Sequence, residues 1–388
     1  MIPITRPLMD EAEADAARRA ILSGWTSQGP EVAAFESEFA ACVGAGHACA
    51  VSSCTTALHL ALLAVGVHAG DEVVTASHSY IATANAIRHC GATPVFADIE
   101  ANGFNLDPAA VERAITPATR AILCVHQLGM PCDLRAILAV ARRHGLPVVE
   151  DAACAIGSEI RDGDGWHAIG RPGGDIACFS FHPRKVISTG DGGMITTSSA
   201  ELDATCRLLR AHGMSLPAAA RHASPRVEFE HYACVGFNYR MTDIQAAVGR
   251  EQLKRLPLIV ARRRELAQRY RVLLSAVDGL GLPDEPAWAR SNWQSYCVRL
   301  PAWCGQRDTM QVLLDEGIAT RRGVMCSHRE PAYSDLPART ALPHSERAQD
   351  QCILLPLFPQ LSDEDQRRVV TSLARACVPV AQGAGLAA

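Results

Sequence analysis

From residue 47 to residue 200 the chain alternates short apolar runs with stretches whose apolar residues recur at helical spacing. The runs at 48–52, 71–76 (DEVVTA), 93–99 (TPVFADI), 120–126 (RAILCVH) and 146–151 (LPVVED) have the length and residue content of strands. Between them, 55–65, 79–91, 107–116 and 133–145 carry the helical pattern. Parallel strands need crossover connections, so this alternation predicts an α/β fold with a largely parallel sheet. In such sheets ligands collect beyond the carboxyl ends of the strands, which singles out residues 77–80, Asp98, His126 and Asp151. Two more apolar runs, 176–181 and 194–197, enclose a turn that holds Lys185 and a flexible Gly190-Asp191-Gly192-Gly193 segment.

The flanks read differently. Residues 10–22 pass from acidic to basic, the order that suits a helix dipole. A second helix is expected from about residue 31, after the breakers Gly24 and Gly29-Pro30. Residues 212–232 break the periodicity and predict a long loop, functional or disordered. A Thr/Asp start signal opens a helix over 242–253, and from Pro257 an arginine-rich helix and short mixed segments follow. We expect a large α/β domain over 1–255 and a small α+β domain over 256–388. The N-terminal segment is a candidate to pack on the small domain, and the last residues read as a frayed tail.

Composition narrows the function. Apolar content of 48% and charged content of 20% fit a globular protein with a sizeable core. A net charge of −4 gives no reason to expect nucleic acid or a membrane surface as partner. The N-terminus is too charged for a signal peptide, and no apolar run reaches membrane-spanning length. The fifteen cysteines are odd in number, scattered, and never spaced C-x-x-C, which argues for free thiols in a cytoplasmic protein and against a metal site.

Three places carry chemistry. A lysine held between buried strands is costly as a cation and tends to shed its proton. The neutral amine is the form that condenses with a carbonyl to a Schiff base; the competing reading of Lys185 is an exposed hairpin loop. The Ser52-Ser53-Cys54-Thr55 turn opens a helix, so it either offers backbone N–H groups to a phosphate or only caps that helix. Asp151, ending a strand, either caps the next helix or faces a ligand.

The segment SFHPRKVISTGDGGMITT (180–197) resembles the cofactor-lysine segment of the DegT/DnrJ/EryC1/StrS sugar aminotransferases, and the likeness runs from about residue 23 to about residue 369. These are fold-type I enzymes dependent on pyridoxal 5′-phosphate (PLP). The resemblance implies a large domain with a mostly parallel mixed sheet flanked by helices, plus a small C-terminal α+β domain. It implies that Lys185 carries PLP, that Asp151 keeps the pyridine ring protonated, and that Ser53, Cys54, Thr55 and Ser180 anchor the phosphate. Cys54 stands where Gly is usual, and Cys154 where Gln or His lies near the ring; a thiol is a weak donor, so the phenolic oxygen is held differently here. Tyr80 either stacks on the ring or is a core aromatic.

By the same likeness, Gly236-Phe237-Asn238-Tyr239-Arg240-Met241 places Asn238 on the phosphate of a partner copy and Arg240 near the substrate carboxylate, which implies a homodimer with shared sites. Trp25 and Thr26 wall the substrate site, unless Trp25 is a hydrophobic plug. His182 either touches substrate or packs against the Pro183 turn. Arg321, Arg322 and His328 either meet a phosphorylated or carboxylated substrate or form a surface basic cluster; the Tyr-Pro-x-Pro-x-His run of nucleotide-sugar relatives is missing there. The implied reaction moves an amino group from L-glutamate to a nucleotide-linked 4-keto-6-deoxy sugar, with Lys185 as acid and base. The alternatives are an aminotransferase for a non-nucleotide ketone such as a cyclitol, a PLP-dependent dehydratase, which relatives with His in place of the lysine become, and a non-catalytic PLP-binding regulator.

Overall fold

The computed structural model describes residues 1–163, 165–171, 173–216, 226–336 and 339–379. Its first strands are β1 (His47–Val51), β2 (Glu72–Ala76), β3 (Thr93–Ala97), β4 (Thr119–Val125) and β5 (Val148–Asp151). After a hairpin of β6 (Glu159–Asp162) and β7 (Gly165–Ala168) come β8 (Ile176–Ser180) and β9 (Gly193–Thr197). The central sheet has the order β1-β9-β8-β5-β4-β2-β3. Neighbours from β3 through β8 pair in parallel, and β9 runs antiparallel to both β8 and β1. The expected mostly parallel mixed sheet is therefore present.

Helices cover both faces: α1 (Glu11–Leu22), α2 (Pro30–Val43), α3 (Cys54–Ala64), α4 (Ala82–His89), α5 (Pro108–Ala114), α6 (Leu134–His144) and α7 (Ala200–Arg210). The two-residue period of β8 divides its wholly buried side chains between two cores. Ala177 and Phe179 join Phe35 and Phe39 of α2 on one side, while Ile176 and Cys178 join Leu58 and Leu62 of α3 on the other. The phenylalanines meet edge-on, with Phe39 and Phe179 centroids 5.1 Å apart.

The two helices expected on either side of Pro257 are one, α8 (Asp243–Leu274), so the expected boundary at 255/256 falls within a continuous helix. A proline costs a helix one hydrogen bond. Here Leu253, Leu256, Ile259 and Val260 are all buried in the α2 core, and that packing holds the helix together through the proline. The Thr242 start signal is a capping box with Gln245. Asp243 reaches further and accepts from the backbone N–H groups of Gly29, Glu31 and Val32, capping α2, whose own N-cap glycine has no side chain to do so.

A second sheet of three antiparallel strands follows. It takes the order β11-β13-β12 from β11 (Tyr296–Arg299), β12 (Arg321–Arg322) and β13 (Cys352–Leu355); the two-residue β10 (Ala289–Arg290) pairs instead with β6. Helices α9 (Gln306–Asp315), α10 (Pro343–Gln351) and α11 (Asp363–Ala376) accompany it, and Tyr296, Val298, Leu313, Ile353, Val369 and Leu373 form its core. The N-terminal segment is stitched to this part: Ile2 bridges Ile318, and Leu357 N–H donates to the Ile4 carbonyl. The hairpin β6–β7 was not anticipated, because its sequence is rich in Gly and Asp and poor in apolar alternation. Of the expected loop 212–232, residues 217–225 lie outside the described residues, as does the tail from residue 380. No helix among the described residues is long and apolar enough to cross a membrane.

Candidate active site

A cavity of about 570 Å³ opens where β4, β5 and β8 end, as the carboxyl-end rule requires. Val125, Asp151 and Ser180, the last residues of those strands or near them, lie in its wall. The small sheet and the segments that follow its strands close the far side with Arg321, Arg322, residues 323–325, Leu354, Leu355 and Leu357, and the N-terminal Ile4 and Thr5 complete it.

Lys185 projects from the β8–β9 connection into this cavity, half-buried, with Nζ 3.0 Å from Cys154 Sγ. Burial pulls its pKa down, but the Cys154 sulfur, with Asp151 and Cys54 beyond it, pulls the other way and leaves the amine above the ordinary lysine value. This corrects the expectation that burial would strip the proton: before it condenses with anything, the amine is held as an ammonium. The chain contains only two lysines, and the other, Lys254, lies exposed on α8 bonded to Glu251. A lysine-linked cofactor in this cavity has one possible attachment point.

Two predicted elements converge opposite the lysine. Asp151 ends β5 and is buried; its Oδ2 accepts from Thr83 Oγ1 at 2.7 Å and its Oδ1 from Ala153 N–H at 3.1 Å. At the start of α3, Ser53 and Thr56 form a reciprocal capping box. That box leaves the N–H groups of Cys54 and Thr55 without an acceptor among the described residues, so capping and anion binding coexist in one turn. Cys54 turns its thiol inward onto the Cys178 carbonyl, 3.6 Å away, so the side chain where relatives carry Gly does not cover the donors. Gly193 allows β9 to pass this turn closely: a Cβ there would lie 2.5 Å from the Ser53 carbonyl carbon and oxygen.

Of the residues singled out in the sequence, Ser53, Cys54, Thr55, Tyr80, Asp151, Cys154, Ser180, His182, Lys185, Arg321 and Arg322 line the cavity. Tyr80 stands largely exposed at its edge. His182 accepts from the Arg184 N–H through Nδ1, and its carbonyl accepts from Lys185 N–H, which ties the turn around the lysine. Burial, followed by the charge of Arg184, lowers its pKa.

Other candidates sit elsewhere. Trp25, Thr26, Asn238 and Arg240 lie outside this cavity; Trp25 packs on Gly29, and the Asn238 side-chain Oδ1 accepts from the Arg240 guanidinium. His328 has both ring nitrogens engaged, Nδ1 with Ser77 Oγ at 2.6 Å and Nε2 with Glu346 at 3.2 Å. Asp98 and His126 serve the scaffold: Asp98 caps α10 through Ser345, and His126 pairs with the buried Glu150. Sequence reasoning missed Thr83, Gln294, Arg184 and Thr5. Only Arg184, beside Lys185, had a positional signal; the others come to the cavity through long-range packing.

These groups fit PLP. They comprise one amine in reach of an aldehyde, a buried carboxylate for a ring nitrogen and unpaired N–H donors at a helix start for a phosphate. A family model described as the DegT/DnrJ/EryC1/StrS aminotransferase family matches residues 7–374. The chain is 40% identical over 378 residues, 96% of each chain, to the spore coat polysaccharide biosynthesis protein SpsC of Bacillus subtilis (strain 168). It is similar to the crystal structure of the aminotransferase TlmJ from Streptoalloteichus hindustanus, with a TM-score of 0.88, 37% identity, and coverage of 97% of this chain and 98% of that one. The PLP-form of Spr1654 from Streptococcus pneumoniae gives a TM-score of 0.89 at 26% identity, covering 97% of this chain and 98% of that one. The chain therefore belongs to the DegT/DnrJ/EryC1/StrS aminotransferase family, whose members are PLP-dependent aminotransferases.

Proposed function

We propose that this protein moves an amino group from an amino acid, L-glutamate, to the carbonyl of a nucleotide-linked 4-keto-6-deoxy sugar. One observation carries the choice of acceptor. Arg184 and Arg321 flank the cavity that holds Lys185, and neither guanidinium has a side-chain partner among the described residues. Unpaired guanidiniums at a site suit phosphate, which they bind bidentately. The 40% identity to a polysaccharide-biosynthesis protein supports a sugar as the body of that acceptor.

When bound, PLP supplies an electron sink for the carbon that gives up its proton. Lys185 Nζ attaches the coenzyme and, once released, is the group placed to take that proton and return it. Asp151, fixed by Thr83, sets a negative charge where a ring nitrogen keeps its proton. The Cys54 and Thr55 N–H groups and Ser180 orient the phosphate end.

The shared-site homodimer is part of this reading. Val227, Phe229, Tyr232 and Val235 are all exposed, and they precede Asn238 and Arg240, which their own chain leaves outside its cavity. A second copy laid on this patch would cover it and receive those two polar side chains. The fifteen free cysteines suit the reducing cytoplasm.

The test is the coenzyme's absorbance in two half-reactions. L-Glutamate converts the lysine-linked spectrum to that of the amine form, and a nucleotide-linked keto sugar restores it. Restoration by cyclitol ketones and not by the nucleotide sugar replaces the acceptor; a spectrum that no amino acid changes leaves a binding protein without turnover.

A further inference from the structure

We propose that Cys154 and Lys185 form a peroxide-sensitive pair, in which oxidation joins Sγ to Nζ and withdraws the lysine from the coenzyme. The separation of 3.0 Å is set by two well-held segments. Cys154 follows β5, and its carbonyl accepts at 2.8 Å from Asn292 Nδ2, a fully buried amide that also holds the Ile156 carbonyl at 2.8 Å. Lys185 is held by its own N–H to the His182 carbonyl and by the buried Val186 and Ile187 that follow it.

The thiol is also reachable. Eleven of the fifteen cysteines are buried. Cys154 is half-buried and lines the open cavity, so a small oxidant arrives by the substrate's route. Cys54, the other cysteine in that wall, is buried with its sulfur turned to the Cys178 carbonyl. Reactive thiols sit beside a cation and within reach of solvent, and Cys154 has both.

The chemistry balances with hydrogen peroxide as the oxidant. The sulfur attacks one peroxide oxygen, the O–O bond breaks, and the thiol becomes a sulfenic acid with release of one water. With the sulfur no longer available as the anion that held the ammonium, Lys185 gives its proton to water, and the resulting neutral amine attacks that sulfur. An S–N bond forms, the S–O bond breaks, and the hydroxyl leaves as water with a proton from nitrogen. The sum is one thiol, one amine and one peroxide giving one sulfenamide and two waters, which a thiol reductant reverses. Sulfenic acids condense in this way with backbone nitrogen; here a side-chain amine already stands at contact distance. The regulatory consequence rests on reading Lys185 as the coenzyme's lysine, whereas the cross-link does not.

The experiment treats full-length protein freed of PLP with hydrogen peroxide, alkylates the remaining thiols and maps peptides without reductant by mass spectrometry. The expected product is a joined pair of peptides containing Cys154 and Lys185, two hydrogens lighter than their sum, which dithiothreitol separates. PLP that borohydride can fix to the protein falls several-fold with the cross-link and returns on reduction. Cys154→Ser abolishes the joined pair and Cys54→Ser keeps it, with circular dichroism reporting that each variant is folded. Prior loading with PLP suppresses the link. Recovery of Cys154 as free thiol, or as sulfinic or sulfonic acid with Lys185 unjoined, overturns the proposal. Joined peptides that form equally with PLP loaded support the link and count against Lys185 as the attachment point.

Discussion

The Thr83 hydroxyl donates to Asp151 Oδ2 at 2.7 Å while lying 2.7 Å from Ser79 Oγ. Thr83 has a single proton to give and gives it to the carboxylate, so Ser79 must be the donor to Thr83. All three residues line the cavity, and the chain of hydroxyls fixes which way the carboxylate faces.

Thr83→Val keeps the shape and removes the donor. A hydrogen bond to a charged group contributes about 1.5–3 kcal/mol, so kcat or PLP affinity should fall by roughly 10-fold or more. Steady-state kinetics and a PLP titration measure both. Wild-type values for the two together would leave Thr83 without a positioning role.

The two-lysine inventory allows a clean attachment test. Borohydride reduction of the holoenzyme should place PLP on the peptide containing Lys185, and Lys254→Arg should label as wild type. Label on Lys254, or persistence of label in Lys185→Ala, contradicts the site described above.

Gly193→Val sets a side chain against the backbone of the phosphate turn, where even a Cβ would stand 2.5 Å from Ser53. The turn must move, since backbone cannot yield as a flexible side chain can. PLP binding should weaken by more than 10-fold, on the order of 1.4 kcal/mol or more, with a lower melting temperature. An unchanged PLP dissociation constant would show that the turn does not hold the phosphate.

Acid should destabilise the fold. Burial, aided by His89, lowers the His59 pKa to about 4, and burial lowers that of His78, stacked on Phe104, to about 4. Below pH 6.5 the unfolded chain binds protons that these folded imidazoles refuse until about pH 4, so stability is lost as pH falls through that window. Glu100 acts the other way: burial, then Asp133 and Asp107, push its carboxyl up to about 7, which favours the fold as pH falls from 7 to 4.5. Two losses against one gain leave a net deficit of about 2 kcal/mol at pH 4.5 relative to pH 7. Urea denaturation at the two pH values measures it, and Glu100→Gln should steepen the drop. Equal midpoints would show that the histidines take up protons in the folded state.

The parallel strands, the lysine turn and the phosphate turn were legible because each is a local pattern: a short apolar run, a lysine followed by a glycine-rich segment, a hydroxyl before an apolar helix. The sequence also put Asp98, His126 and Asp151 on equal footing, since each ends a strand or follows one. What separates them is packing. Asp98 is consumed by Ser345 from residues far along the chain, and His126 by Glu150, while Asp151 is left facing the cavity. Pro257 misled for the same reason, because the core contacts of its neighbours outweigh its local preference. Thr83 and Gln294 had no local signature at all: Thr83 sits in an ordinary helix, and Gln294 in a bend after Trp293, whose positive φ of 51° no sequence pattern announces.

Ile2 and Ile4 are sewn to the segments that flank the small sheet while Ile4 and Thr5 face the cavity that holds Lys185, so the first five residues act as both seam and wall. Displacing the small sheet would carry this short strap with it, so part of the cavity wall travels with a piece of chain that carries no chemistry of its own.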